Sequence, residues 1–300
     1  MPQTPNLLAE LLPSWEVALR SERKSRHTLA QYREGVRQFL RWCERTGTAP
    51  ELSKPTVQGF LAALFDDGAQ AATVRARYLA LRRFSHWLTA EGEIEADRLL
   101  GMSPPKLAVK ITDPLTEAEL RDLIKACQGP GFADRRDEAI CRLMAETGMR
   151  AGECASLAVA DVDTLHGRAV IRSGKGGRDR PVPFGPQTAT VLDRYIRMRR
   201  SHKLAERPSL WLPVRAAGSF GYTSLYRALR RRAALVGLDT FHPHLLRHTA
   251  ASRWLAAGGS EGGLMTMAGW KQRQMLDRYT AATASERAAD EAKRLRLGDL

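Results

Sequence analysis

Along the first third of the chain, hydrophobic positions recur at helical spacing. From Ser25 to Gly47, the residues Leu29, Tyr32, Val36, Phe39, Leu40 and Cys43 fall on one face, and Gly47 supplies a stop. Ser53 and Pro55 open a second helix in the cap-then-proline order, with Val57, Phe60, Leu61 and Leu64 on one side. A third helix is predicted over about 71–90, with Val74, Tyr78, Leu81, Phe84, Trp87 and Leu88 inward. Its other face shows Arg75, Arg77, Arg82 and Arg83. Residues 1–100 therefore read as a small helical domain with a basic side.

The pattern breaks at GMSPPKLAVKITDP, residues 101–114, where adjacent prolines and a further one at Pro114 exclude a continuous helix. This stretch is the expected linker. Thr116 and Glu119 then have the form of a capping box, so a new helix starts at about Thr116 and a second domain spans 115–281. Helices are expected at about 116–127, 136–147, 186–200, 221–235, 243–256 and 260–268. Between Arg168 and Phe184 the period changes. Ala169–Ile171 and Pro181–Phe184 are short extended runs joined by the Gly-rich SGKGGRDR, which reads as a β-hairpin with a basic tip. The glycines of Gly258–Gly263 make the helix at 260–268 a weak or shifted one. The tail, residues 282–300, reads as a docking helix or a frayed end. The fold class expected is mainly α with a small β-hairpin or sheet in the second domain.

Composition narrows the function classes. The net charge of +14 favours a polyanionic partner, because cations near phosphates release condensed counterions. DNA, RNA and an anionic membrane surface all satisfy that number. The four cysteines, Cys43, Cys127, Cys141 and Cys154, form no close pair, so they suggest neither a disulfide framework nor a zinc site and read as buried small residues. No apolar run is long enough to span a bilayer, and the N-terminus lacks the pattern of a secretory signal. The expected location is the cytoplasm.

Four segments carry candidate chemistry. In ETGMRAGE, Glu153 stands three positions after Arg150 and can brace its guanidinium, which then offers a planar fork to a phosphate. An ordinary surface Arg–Glu pair has the same spacing. Lys175 sits between glycines at the hairpin tip, where a long ammonium side chain reaches a groove or simply points into water. In HPHLLRHTAASRWL, the residues His244, Arg247 and His248 share one helix face. Zinc would want further His, Cys or carboxylate ligands there, but Arg247 lies among the histidines and no acid is nearby, so no metal is expected. His248 also suits a core position. In MAGWKQRQMLDRYTA, Trp270 and Tyr279 flank Lys271, Arg273 and Arg278. Alone, Tyr279 reads more readily as a packing aromatic than as a nucleophile.

Taken together, the order Arg, Lys, His-x-x-Arg, Trp, Tyr over this second domain resembles the signature of the tyrosine recombinase (phage integrase) family, in its Xer-like two-domain form. TGMRAGE, HPHLLRHTAAS and the closing Asp-Arg-Tyr-Thr carry the resemblance. One departure is Trp270 in Ala-Gly-Trp, where His in Leu-Gly-His is frequent; an indole N–H still donates a hydrogen bond but cannot shuttle a proton.

The resemblance implies an active site of Arg150, Lys175, His244, Arg247, Trp270 and Tyr279, supported by Glu153 and His248. It implies a helical core-binding domain and a catalytic domain closed as a clamp around double-stranded DNA. Arg75, Arg77, Arg82, Arg83, Arg230 and Arg231, the last two in the run YRALRRR, are the expected DNA contacts. It implies strand cleavage and rejoining through a 3′-phosphotyrosine, without cofactor or metal, by a homotetramer assembled on two sites from a chain monomeric in solution. The tail would pack into a neighbouring subunit, and no room is expected ahead of the first helix for an arm-binding domain. Two alternatives stay open: relaxation of supercoils like a type IB topoisomerase, and a catalytically silent DNA-binding regulator on the same scaffold. An RNA-binding or membrane-surface protein rests on charge alone.

Overall fold

A computed structural model describes residues 5–107, 113–172, 179–215, 217–270 and 272–276. The chain divides into two compact units, Met1–Lys110 and Ile111–Leu300.

The first unit holds α1 (Pro5–Ser21), α2 (Arg26–Thr46), α3 (Lys54–Asp66) and α4 (Ala71–Ala90). The predicted caps are present. Ser25 accepts from the Thr28 backbone N–H and Ser53 from that of Thr56, satisfying donors the first turn leaves open. Gly47 ends α2 in the left-handed conformation. The apolar faces meet in a core rich in aromatic rings, with Trp15 against Phe84 at 4.8 Å and Phe39 edge-on to Phe60 at 5.5 Å. Helices α2 and α4 approach so closely that a Cβ added at Gly35 would lie 2.5 Å from the Ala80 Cβ.

The second unit begins with α5 (Glu117–Cys127), α6 (Phe132–Thr147) and the short α7 (Ala151–Ala155). A 3-10 turn at Val159–Asp161 follows, then β1 (Val162–Asp163), β2 (Arg168–Ile171) and β3 (Arg180–Pro183). Four further helices follow: α8 (Pro186–Arg200), α9 (Tyr222–Ala234), α10 (Pro243–Ala256) and α11 (Glu261–Ala268). The architecture is mostly helical with a small three-stranded antiparallel sheet in the order β1-β2-β3. Ala169 pairs with Val182 and, with Ile171, turns its side chain into the core. The strand β1 is additional to the expected hairpin. The hairpin tip, 173–178, lies outside the described residues, as does the tail.

Helix α6 starts four residues earlier than its apolar pattern suggests. The Asp134 carboxylate accepts from the Gly131 N–H at 3.1 Å and closes the first turn there. The next turn hides charge. Arg136 and Asp137, 2% and 1% exposed, pair within the core, and Arg232 of α9 binds the other Asp137 oxygen at 3.0 Å. At the end of α8, the buried Arg199 donates to the carbonyls of Ala205, Arg207, Ser209 and Leu210, ordering that loop from its centre. The loop continues to Trp211, whose indole N–H binds the Cys154 carbonyl of α7 at 2.7 Å. All four cysteines are buried and free.

Helix α11 forms where it was expected to be weak or shifted. Ser260 caps it, and the neighbouring glycines have a packing role: a Cβ at Gly259 would stand 2.3 Å from the Trp254 indole nitrogen. Among the described residues, no helix is long and apolar enough to cross a membrane.

Candidate active site

The site is assembled from three chain turns in the second unit. Helix α6 stops at Gly148, whose φ of 62° is cheap only for glycine. The chain then runs through buried Met149 to Arg150, which has extended backbone angles and caps α7. The Arg150 guanidinium donates to Glu153 Oε1 at 2.9 Å, and the Arg150 backbone N–H donates to Glu153 Oε2 at 2.7 Å. Arg150 is 46% exposed at its side chain while Glu153 is 18% exposed, so the acid forms a sheltered base for a cation that still reaches outward.

Helix α10 supplies the second part. Arg247 is 2% exposed, and two of its N–H groups donate to the carbonyls of Gly148 at 2.7 Å and Ala268 at 2.8 Å. One side chain thus ties the turn before Arg150 to the end of α11. The helices come close here, since a Cβ at Gly148 would be 3.3 Å from the Ala250 Cβ. His244 is exposed and His248 half-buried; their rings meet edge to face with centroids 4.7 Å apart. His242 stacks near His244 at 6.4 Å, and burial holds its imidazole below the ordinary value, favouring the neutral form.

The third part is the turn after α11. Trp270 is 6% exposed, and its ring lies 5.3 Å from the Arg247 guanidinium carbon. The structure therefore brings together Arg150, Glu153, His244, Arg247, His248 and Trp270. Lys175 and Tyr279 lie outside the described residues. Leu276, three positions before Tyr279, is buried against the core of this unit.

Sequence reading missed Arg180. Its Nη2 donates to Glu153 Oε2 at 2.8 Å and its Nε to the Met267 carbonyl at 3.1 Å. Burial alone would raise the Glu153 carboxyl, yet hydrogen bonds from Arg180 and Arg150 hold it below the ordinary 4.5. The only signal was a basic residue opening β3, and its partners are distant in sequence.

The expected DNA contacts separate into two kinds. Arg75 donates to the Pro105 carbonyl at 3.0 Å, Arg77 to Gln38 at 2.7 Å, and Arg83 to both Glu22 oxygens at 2.6 Å. These three hold their own unit together. Arg82 and Arg231 are exposed; Arg230 is exposed and donates to the Asp239 carbonyl at 3.1 Å. Arg232, in the same basic run, turns inward instead, to Asp134 at 2.6 Å and to buried Asp137. Among the described residues, no group of three or more His, Cys, Asp or Glu is placed to hold a metal ion.

Residues 114–286 match the model of the phage integrase family, and residues 12–92 match its N-terminal SAM-like domain. The chain belongs to the phage integrase family. Curated relatives of this member include tyrosine recombinase XerC of Corynebacterium efficiens, 30% identical over 267 residues, covering 86% of this chain and 81% of the relative. Another is XerD of Corynebacterium glutamicum, 31% identical over 288 residues, covering 91% and 94%. Among solved structures, the XerA recombinase is 25% identical with a TM-score of 0.54, covering 96% of this chain and 99% of that one. The Tn1549 transposon integrase with a circular intermediate DNA shares the fold at a TM-score of 0.74 and 16% identity, covering 96% and 99%. This phage integrase family member is a site-specific DNA recombinase, an enzyme that cleaves and rejoins DNA. The topoisomerase-like and catalytically silent alternatives are not favoured.

Proposed function

We propose that recombination by this chain proceeds through attack of Tyr279 on a phosphodiester of duplex DNA, with Arg150 and Arg247 holding the phosphate. The observation that carries this reading is the Arg247 bridge, which joins the Arg150 turn to the Trp270 turn through the Gly148 and Ala268 carbonyls. A phosphate ligand built into the scaffold is positioned before substrate arrives, as electrostatic catalysis requires.

In the cleavage step the Tyr279 oxygen bonds to phosphorus and the bond from phosphorus to the 5′ oxygen breaks. A free phenol has a pKa of about 10, so the cationic pocket favours its phenolate. His244 takes the phenolic proton and Lys175 gives a proton to the departing 5′ oxygen. Arg150 and Arg247 contact the nonbridging oxygens as charge spreads over them, and Trp270 adds a neutral donor. The phosphotyrosine bond retains the energy for rejoining, so no nucleotide or other cofactor enters. Glu153 and His248 support the ligands beside them.

In this reading residues 1–100 form the core-binding domain, 101–114 the linker, 115–281 the catalytic domain and 282–300 a tail that packs into a neighbouring subunit. Arg82, Arg230 and Arg231 contact the DNA backbone. Arg75, Arg77 and Arg83 reach it only by giving up their present partners. The chain is monomeric when free, assembles as a tetramer on two DNA sites, and works in the cytoplasm. Removal of residues 285–300 would weaken assembly and spare half-site binding; assembly that survives the deletion refutes the tail's role.

The test is incubation with a randomised pool of nicked duplexes followed by denaturing gels. A covalent protein–DNA adduct is expected from the wild type and none from Tyr279→Phe, and sequencing the trapped DNA gives the site. An adduct that persists in Tyr279→Phe refutes the nucleophile.

A further inference from the structure

Arg180 closes the SGKGGRDR run in which Lys175 alone was singled out, yet it touches two of the other motif segments. It opens β3 with its side chain 16% exposed. Nη2 donates to Glu153 Oε2, the acid beneath Arg150, and Nε donates to the carbonyl of Met267, three residues before Trp270. The space it fills is reserved for it. Gly269 has φ of 65°, and a Cβ there would stand 2.8 Å from the Arg180 Cζ. A larger residue at 269 would therefore meet both backbone strain and the guanidinium.

Among the described residues, the Glu153 carboxylate receives three donors: Arg150 Nη1 on Oε1, and the Arg150 backbone N–H and Arg180 Nη2 on Oε2. Exposed ion pairs usually contribute little, but here the acid and Arg180 are both largely sheltered from solvent. With Oε2 held by Arg180, the plane of the carboxylate is fixed, and so is the direction from which Oε1 accepts Arg150. Without Arg180, Oε2 keeps only the Arg150 backbone N–H among these donors, the carboxylate is less firmly set, and the Arg150 guanidinium, half open to solvent, loses part of its support.

We propose that Arg180 is a positioning residue for strand cleavage, orienting Arg150 through Glu153 and setting the Trp270 turn through the Met267 carbonyl. This inference rests on the reading of Arg150 and Trp270 as phosphate ligands. Lysine cannot replace arginine fully in this role, because a single ammonium does not reproduce the planar fork that reaches both partners.

The experiment compares wild type, Arg180→Gln, Arg180→Lys and Arg150→Ala on the randomised nicked-duplex pool. Three quantities are read: the single-turnover rate of adduct formation at saturating protein, the affinity for the pool, and the melting temperature. Arg180→Gln should slow adduct formation roughly 10- to 100-fold, the loss of a charge-assisted contact, while affinity stays within about twofold. Arg180→Lys should recover part of the rate. The acid limb of the rate profile should move to higher pH in Arg180→Gln, because one of the two guanidinium groups that donate to the Glu153 carboxylate is then gone. Wild-type cleavage by Arg180→Gln overturns the proposal. So does a fall in rate matched by an equal fall in affinity, or unfolding that Arg180→Lys does not repair, since either assigns Arg180 to the fold alone. An Arg150→Ala variant that cleaves normally, or a wild type that forms no adduct, overturns the underlying reading and this one with it.

Discussion

Replacing Arg247 by Met keeps most of the stem's bulk and removes both donors to the Gly148 and Ala268 carbonyls. A buried carbonyl left without a partner costs about 1–3 kcal/mol, and two are stranded here. Some of that is recovered, because a buried guanidinium no longer has to be desolvated. The expected net loss is roughly 2–4 kcal/mol. In a unit of this size each kcal/mol lowers the melting temperature by about 2–4 °C, so the transition should fall by roughly 4–16 °C. Arg247→Lys should fall about half as far, because one ammonium retains one carbonyl. Both variants should lose covalent adduct formation. The assay is thermal unfolding by circular dichroism, paired with the nicked-duplex gel. If Arg247→Met melts with the wild type, the carbonyl bridge carries no stability and Arg247 does not hold the two turns together.

Three further outcomes are expected. Gly35→Ala should gain about 1 kcal/mol in helix propensity but lose about 1–3 kcal/mol to overpacking against Ala80, for a net destabilisation. Hydrogen exchange of α2 and α4 amides reads the balance, and increased protection would refute the clash. The Glu153 carboxyl is held below 4.5, so its contribution is present above the unfolded value and lost as pH falls through the folded one. Stability curves of wild type and Glu153→Gln should therefore converge in acid, and parallel curves would show that the carboxylate's ion pairs do not stabilise the fold. Lys175→Ala should slow cleavage of an ordinary substrate and recover on one with a 5′ sulfur leaving group, which departs without a proton; unchanged cleavage of the ordinary substrate removes Lys175 from the acid role.

Much of this molecule was legible because helices announce themselves by period and caps by residue type. Val36, Phe39 and Cys43 point inward, as their spacing requires, and Thr116 with Glu119 closes the box its sequence spells. The Arg150, Arg247 and Trp270 segments were readable as motifs, and the fold brings them together through backbone carbonyls that no side-chain pattern encodes. What escaped were charges facing inward. Arg136, Asp137 and Arg199 are polar in any hydropathy reading, and only their partners make burial tolerable. Arg232 looked like its neighbours in YRALRRR until its acids, nearly a hundred residues earlier, came into view. Arg180 was hidden for the same reason. The two-residue β1 is shorter than any alternation can reveal. The glycines before α11 suggested weakness because the bulk they accommodate, Trp254, comes from the preceding helix.

The loop after α8 has another consequence. Four carbonyls converging on one point is the environment that loops elsewhere reserve for a calcium ion. Here the cation is the Arg199 guanidinium, tethered by its own side chain. A tethered cation cannot be chelated, diluted or exchanged, so the loop and the Trp211 contact it leads to should hold their shape whatever divalent ions surround the protein. Its dependence is on the codon instead: lysine, with three donors radiating from one atom, cannot span the same oxygens, and at position 199 a nominally conservative change would empty the site for good.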